Sequence, residues 1–248
     1  MNISFNYYRK IWHLSGLIFP LILFLDPLQS FRHLHPDPTR AILIVFLAFF
    51  ALFWFFCDLA RFNSPAFAAF FHKTLGIFMK HEEKDRFTGT IPYLTANLFL
   101  LLFFSKEVVI ISSILLALGD PAAAYIGGHY GKRRLSNGKS AEGLIAFIAA
   151  GFFASLAFIV LNGAVYPSSL LRFGGSIAAF FVVLLIFLGA LSAGIGEMFS
   201  FSALHGLVDD NFIVPITGAL GLVLAGTLLP GISTGDLIAD PRALFLFR

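Results

Sequence analysis

Apolar residues gather into seven long runs separated by short polar, basic or glycine-rich intervals: approximately Ile11–Leu25, Ala41–Leu59, Phe87–Phe104, Val108–Gly128, Leu144–Leu161, Ile177–Ile195 and Phe212–Leu229. An α-helix needs roughly 20 residues to cross about 30 Å of hydrocarbon, and each run approaches that length. The pattern predicts an all-α, polytopic membrane helix bundle of about seven transmembrane helices, one integral-membrane domain over residues 1–248. Arg9 and Lys10 precede the first run as in a signal peptide, but Asp26-Pro27-Leu28-Gln29-Ser30 follows instead of a small-residue cleavage site, so the run is read as a first span.

An eighth segment, Ser64 to Lys80, is too polar to span, yet it sets Phe67, Phe70, Phe71, Leu75 and Phe78 at helical spacing with His72, Lys73 and Lys80 outside that set. With Ser64 as N-cap and Pro65 at the first helical position, it reads as an amphipathic helix in the membrane interface. It would anchor the chain, or line the entrance by which a lipid reaches a site.

Composition agrees with a membrane protein: 58% of residues are hydrophobic, 12% are charged and the mean hydropathy is +0.86. The net charge of +3 does not point to nucleic acid, because the basic residues border apolar runs, where anionic headgroups or phosphates are the better partners. With a cytoplasmic N-terminus, the cytoplasmic face receives Arg9, Lys10, Arg61, Lys73, Lys80, Lys84, Arg86, Lys132, Arg133, Arg134 and Lys139. The other face receives Arg32, Arg40, Lys106, Arg172, Arg242 and Arg248, so the positive-inside rule favours that orientation.

Polar residues inside apolar runs narrow the chemistry, because a mid-bilayer carboxylate costs about 3 kcal/mol even on lenient insertion scales. Asp120 lies in Gly119-Asp120-Pro121-Ala122-Ala123-Ala124-Tyr125-Ile126-Gly127-Gly128, where proline loosens a helix and small residues allow close approach. It is expected to face a polar cavity, the alternative being a packing ion pair. Asp58, three residues before Arg61, reads as such a structural pair. The sixth run ends in Gly189, Ala190, Ser192, Ala193, Gly194 and Gly196 before Glu197, so close packing of the fourth and sixth helices would bring Asp120 and Glu197 together.

Between these runs lies a glycine-rich, basic excursion: Gly127, Gly128, Gly131, Lys132, Arg133, Arg134, Gly138, Lys139, Ser140, Glu142 and Gly143. Clustered amides and cationic side chains suit a phosphate, although a basic positive-inside loop would have the same composition. A P-loop is excluded, since Arg133 stands where that motif needs glycine and no βαβ context surrounds it. The last loop supplies Glu197, Ser200, His205, Asp209, Asp210 and Asn211. Its oxygen donors suit Mg²⁺ or another hard divalent cation, with Asp120, Glu197, Asp209, Asp210 and Asn211 as candidate ligands; a solvated helix cap is the alternative. The scattered histidines form no zinc set.

Taken in order, Arg9-Lys10-Ile11-Trp12-His13, then His81-Glu82 with Arg86-Phe87-Thr88-Gly89, the GDPAAAYIGGHYGKRRLSNGKSAEG segment, and Glu197 with Asp209-Asp210-Asn211 and Pro215 resemble the polyprenol kinase family. That family includes dolichol kinase, phytol kinase and the CTP-dependent diacylglycerol kinase. The resemblance implies transfer of the γ-phosphate of a nucleoside triphosphate, typically CTP, to the hydroxyl of a membrane lipid alcohol: a polyprenol or dolichol, phytol, or diacylglycerol. It carries over Arg9, Lys10, Asp120, Lys139, Glu142, Asp209 and Asp210 as charged motif positions. Lys139 with Arg133 or Arg134 would meet the phosphates, Asp209 and Asp210 would hold Mg²⁺, and Asp120 would bind metal or orient the hydroxyl. His13, His81, Glu82, Arg86, Thr88 and Gly89 are further motif positions. Lys139→Ala is expected to leave a folded, inserted protein. A lipid-phosphate cytidylyltransferase would need the same nucleotide and a similar acidic site. A transporter is disfavoured, because the charge sits in loops on one face and no inverted repeat is visible.

Overall fold

The computed structural model describes residues 14–79 and 81–245, and within them the chain is helical without a β-strand. The helices are α1 Ile18–Leu25, α2 Pro38–Asn63, α3 Pro65–Leu75, α4 Thr90–Phe103, α5 Lys106–Tyr130, α6 Ala141–Val165, α7 Ala179–Met198, α8 Asp210–Leu228 and the short α9 Thr234–Leu237. Every expected apolar run carries one of them. Five, α2 and α5 to α8, are each long and apolar enough to cross a membrane.

α4 falls short of the expected span because tertiary contacts hold the residues before it. Arg86, Phe87 and Thr88 are drawn into hydrogen bonds with Asp58, Arg61 and His205, so the helix begins only at Thr90. Its 14 residues reach only about 21 Å at about 1.5 Å per residue. At its other end Arg40 donates to the carbonyls of Leu101 and Phe104, which satisfies acceptors left over by the helix terminus.

Caps fix several boundaries in the manner the sequence signals. Asp37 accepts from Arg40 N with Pro38 in the first turn of α2, and Ser64 accepts from Phe67 N with Pro65 opening α3. α3 was expected to run to Lys80 but ends at Leu75, followed by a 3₁₀ turn at Gly76–Phe78. α5 contains a π-helical turn at Leu115–Gly119 immediately before Asp120-Pro121. The wider turn accommodates a proline that cannot donate, and such turns are frequent at functional sites.

Small residues set the helix packing. A Cβ on Gly189 would lie 2.5 Å from Leu222, one on Gly196 2.1 Å from Thr217 and one on Gly221 2.3 Å from Ser192, so α7 and α8 make the most extensive helix pair. α6 lies against both α5 and α7. The small residues of α7 receive mainly α8 and α6, and α7 also touches the π-helical turn of α5 just before Asp120. Outward, Val45, Phe49, Phe56, Phe153 and Leu224 are each more than 60% exposed, an apolar surface suited to lipid.

Candidate active site

The segment preceding α4 is held by a buried ion pair. Arg61 Nη2 lies 2.9 Å from Asp58 Oδ1, with side chains 1% and 0% exposed. Arg61 also donates to the carbonyls of Glu83, Lys84 and Arg86, while Asp58 Oδ2 accepts from Thr88 N at 2.7 Å and Thr88 Oγ1 at 3.1 Å. The pair expected from its spacing is thus a clamp on the motif segment: the arginine saturates the outward-turned carbonyls, and the aspartate fixes the start of α4. Phe87 stacks on Phe55 at 5.4 Å, and its N–H donates to His205 O at 2.8 Å, which ties the clamp to the last loop.

That loop turns through Leu204, His205 and Gly206, all at positive φ, before Asp209 caps α8. Asp209 Oδ1 accepts from Asn211 N at 2.8 Å, and Asp209 Oδ2 accepts from Asn211 Nδ2 at 3.0 Å. Asp209 and Asn211 are buried, at 9% and 4% exposure, whereas Asp210 is partly open. Gly89 packs directly against this cap: a Cβ there would meet Asn211 Nδ2 at 2.6 Å, Glu83 Oε1 at 3.2 Å and Asp209 Oδ2 at 3.5 Å. Only glycine lets the two motif segments close on each other.

The glycine-rich excursion forms a tight turn, with Leu135 N donating to Lys139 O, Gly138 N donating to Leu135 O, and Gly138 at φ +83°. Ser140, assigned to phosphate from sequence, is buried and caps α6 by accepting from Gly143 N at 3.1 Å. Gly127 and Gly131 crowd the same hydroxyl: their Cβ atoms would lie 2.9 and 2.6 Å from Ser140 Oγ. Arg134 spans the turn by donating to the carbonyls of Gly127 and Gly138, and Glu142 accepts from the backbone N–H of Lys132 and Arg133. The Lys132 and Arg133 side chains are exposed.

Two side chains stitch this turn to the end of α7. Asn137 Nδ2 donates to Met198 O at 2.9 Å; Lys139 Nζ lies 2.8 Å from Glu197 Oε1 and donates to Ser200 Oγ and to the Glu197 carbonyl. Glu197 is 7% exposed, and the carboxylates of Asp120 and Asp210 both act on it electrostatically. Asp120, itself 6% exposed, is therefore part of the same polar assembly. Among the described residues no group of three or more His, Cys, Asp or Glu side chains is close enough to cage a metal ion. Mg²⁺ is commonly held by one or two carboxylates together with substrate phosphates, so a site of that kind would draw on one or two of Asp120, Glu197 and Asp210.

A predominantly apolar cavity of about 450 Å³ opens beside the site. Phe19 and Ile22 of α1, Phe50 and Trp54 of α2, and Phe71 and Leu75 of α3 are among its walls, so α3 does line an apolar chamber. One end is polar, formed by Glu83, Thr88, Gly89 and Asn211. Asn211 faces the cavity while its neighbour Asp210 acts on Glu197, so the start of α8 separates an apolar chamber from the glycine-rich loop.

Of the residues singled out from sequence, the structure sets Arg86, Thr88 and Gly89 before α4, Lys139 and Glu142 at the start of α6, Glu197 at the end of α7, Asp209, Asp210 and Asn211 at the start of α8, and Asp120 inside α5. His81 and Glu82 lie in the short turn His81–Lys84 of the clamped segment. Arg9, Lys10 and His13 lie outside the described residues. Glu83 and Asn137 were missed: the first differs from Glu82 by one register position, and the second is polar within a polar loop, so neither carries a signal readable without the fold.

Fold and site together define a membrane-embedded helix bundle with a carboxylate-rich centre beside an apolar chamber. In sequence, the chain is similar to CTP-dependent diacylglycerol kinase 1 of Saccharomyces cerevisiae, 28% identical over 221 residues, covering 86% of this chain and 70% of that protein. The protein of the same name from Eremothecium gossypii is 28% identical over 222 residues, of which this chain spans 64% of its length, and that from Schizosaccharomyces pombe is 28% identical over 170 residues, 67% of this chain and 73% of the relative. The chain is thus related to CTP-dependent diacylglycerol kinases, as its motifs suggested. No family model matches it, and no solved structure does.

Proposed function

We propose that this protein is a CTP-dependent lipid kinase, transferring the γ-phosphate of CTP to the hydroxyl of a membrane lipid alcohol, with diacylglycerol the first acceptor to test because the relatives are named for it. The observation that carries the reading is the apolar cavity ending at Asn211, one residue from Asp210, whose charge acts on the Glu197 that binds Lys139. A bilayer-soluble acceptor and a water-soluble donor can approach such a boundary from opposite sides.

Phosphoryl transfer needs positioning and charge neutralisation more than covalent catalysis. In this reading Lys132 and Arg133, exposed beside the turn, meet the nucleotide phosphates with Arg9 and Lys10, and Lys139 joins them by exchanging its bond to Glu197 for a phosphate oxygen. One or two of the carboxylates Asp120, Asp210 and Glu197 would hold Mg²⁺ together with the substrate phosphates. When bound, that ion would neutralise charge on the β- and γ-phosphates. The clamp of Asp58 and Arg61 keeps the acceptor end rigid. The whole chain acts as one catalytic unit, with the site on the cytoplasmic face, where CTP is available, and α3 in the interface at the cavity mouth. Transfer of label from γ-labelled CTP to a lipid alcohol tests this; label released as pyrophosphate would instead indicate a cytidylyltransferase.

A further inference from the structure

Four residues of α2 share one stripe. Phe46, Phe50, Trp54 and Asp58 fall at every fourth position, and residues so spaced lie one above another on a helix. The first three line the cavity, with the Phe46 and Phe50 rings 4.4 Å apart, and Asp58 holds Thr88 at the cavity's polar end. At about 1.5 Å per residue the stripe runs about 18 Å from Phe46 to Asp58, so the cavity is elongated along the helix.

Its two ends differ. Around Trp54 it is enclosed: Phe71 of α3, 3% exposed, packs edge-on against Trp54 at 5.9 Å. Around Phe46 it is not. Phe19 of α1 reaches across to Phe46 at 6.0 Å between ring centroids, yet Ile18 and Phe46, both of which line the cavity, are 54% and 43% exposed. Val45 and Phe49, on either side of Phe46, belong to the outward apolar surface of α2. A wall residue that is also part of the lipid-facing surface marks a lateral opening, here between α1 and α2.

Resting on the lipid-kinase reading, we propose that this stripe is a one-chain groove with a lateral exit. The acceptor's hydroxyl lies at the Thr88–Asn211 end, one hydrocarbon chain follows Trp54, Phe50 and Phe46, and the rest of that chain, with any second chain, stays in the bilayer. Volume supports partial enclosure. At roughly 30 Å³ for each methylene-sized group, a cavity of about 450 Å³ takes on the order of fifteen such groups, about one chain's worth, so a two-chain lipid is held by part of its hydrocarbon. A groove open at its far end grips a fixed length of chain and is indifferent to what extends beyond it. Acceptors are therefore selected for a minimum chain length and not for a maximum.

Chain length tests this on the unaltered protein. In mixed micelles at equal surface concentration, KM should fall from dioctanoylglycerol to dilauroylglycerol and then stay level through dioleoylglycerol and dierucoylglycerol. Phe46→Ala should raise KM for dioleoylglycerol roughly three- to tenfold at unchanged kcat, as for about one buried methylene's worth of contact, and much less for dioctanoylglycerol, whose chains are too short to reach it. Phe49→Ala, on the lipid face outside the cavity, should change neither. A binding readout needs no phosphate transfer. The protein has two tryptophans, Trp12 and Trp54, and in a Trp12→Phe background diacylglycerol brominated on its acyl chains should quench Trp54 saturably, above the level given by brominated phosphatidylcholine. A KM that rises steeply for dierucoylglycerol, equal effects of Phe46→Ala and Phe49→Ala, or absence of saturable quenching overturns the groove even if the wild type phosphorylates lipid. Saturable quenching without any phosphate transfer would instead remove the kinase reading and leave the groove as a lipid site.

Discussion

Lys139 Nζ lies 2.8 Å from Glu197 Oε1, so the lysine that the sequence offers to phosphate is held by the carboxylate at the end of α7. The pair adds a stability cost to the expectation that Lys139→Ala leaves a folded, inserted protein. Removing one partner of a buried pair costs about 3–5 kcal/mol, and the partly exposed lysine reduces that to roughly 2 kcal/mol here. Lys139→Ala and Glu197→Gln should each lower the melting temperature and abolish turnover. The Lys139→Met/Glu197→Gln double variant should recover most of the stability and none of the activity. Thermal unfolding followed through the sole cysteine, Cys57, with a thiol-reactive dye measures the first; recovery of activity in the double variant would remove Lys139 from the site.

Arg61→Ala should be the most destabilising single substitution near the site. It strands Asp58, which is 0% exposed, and frees the carbonyls of Glu83, Lys84 and Arg86, for a loss of about 3–5 kcal/mol. Proteolysis between residues 80 and 89 should accelerate in parallel. A variant as stable and as protease-resistant as wild type would show that the clamp does not hold this segment.

Neighbouring glycines should respond differently to the same added methyl group. A Cβ on Gly131 would lie 2.3 Å from the Gly127 carbonyl oxygen, a backbone atom that cannot simply rotate aside, whereas one on Gly128 meets nothing within 4 Å. Gly128→Ala should keep near-normal turnover, and Gly131→Ala should lose activity by about tenfold or more through displacement of the turn. Equal activity of the two variants, measured as kcat/KM for CTP, would separate the turn's geometry from catalysis.

A chelator should stop the reaction, and added Mg²⁺ should restore it. Asp210→Asn should raise the Mg²⁺ concentration needed for half-maximal rate by about 10–100-fold. An unchanged Mg²⁺ requirement would place the ion elsewhere.

Much of this arrangement was legible in one dimension because it rests on local rules. The Ser64-Pro65 start of α3, the Asp58–Arg61 spacing and the apolar runs each encode a contact within a few residues. What was not legible depends on long-range closure. Nothing local tells that the Phe87 region will be pulled to His205 and so shorten α4, or that Lys139 will find Glu197 across the bundle. Glu83 has the same difficulty: its place at the cavity end follows from three carbonyls held by an arginine some twenty residues earlier.

The most direct test supplies the purified protein in mixed micelles with CTP labelled at the γ-phosphate, Mg²⁺, and a panel of diacylglycerol, phytol and dolichol. Label should appear in the phosphorylated lipid, with unlabelled CDP as the other product. Label recovered only as pyrophosphate, or no transfer to any lipid alcohol, would contradict the account.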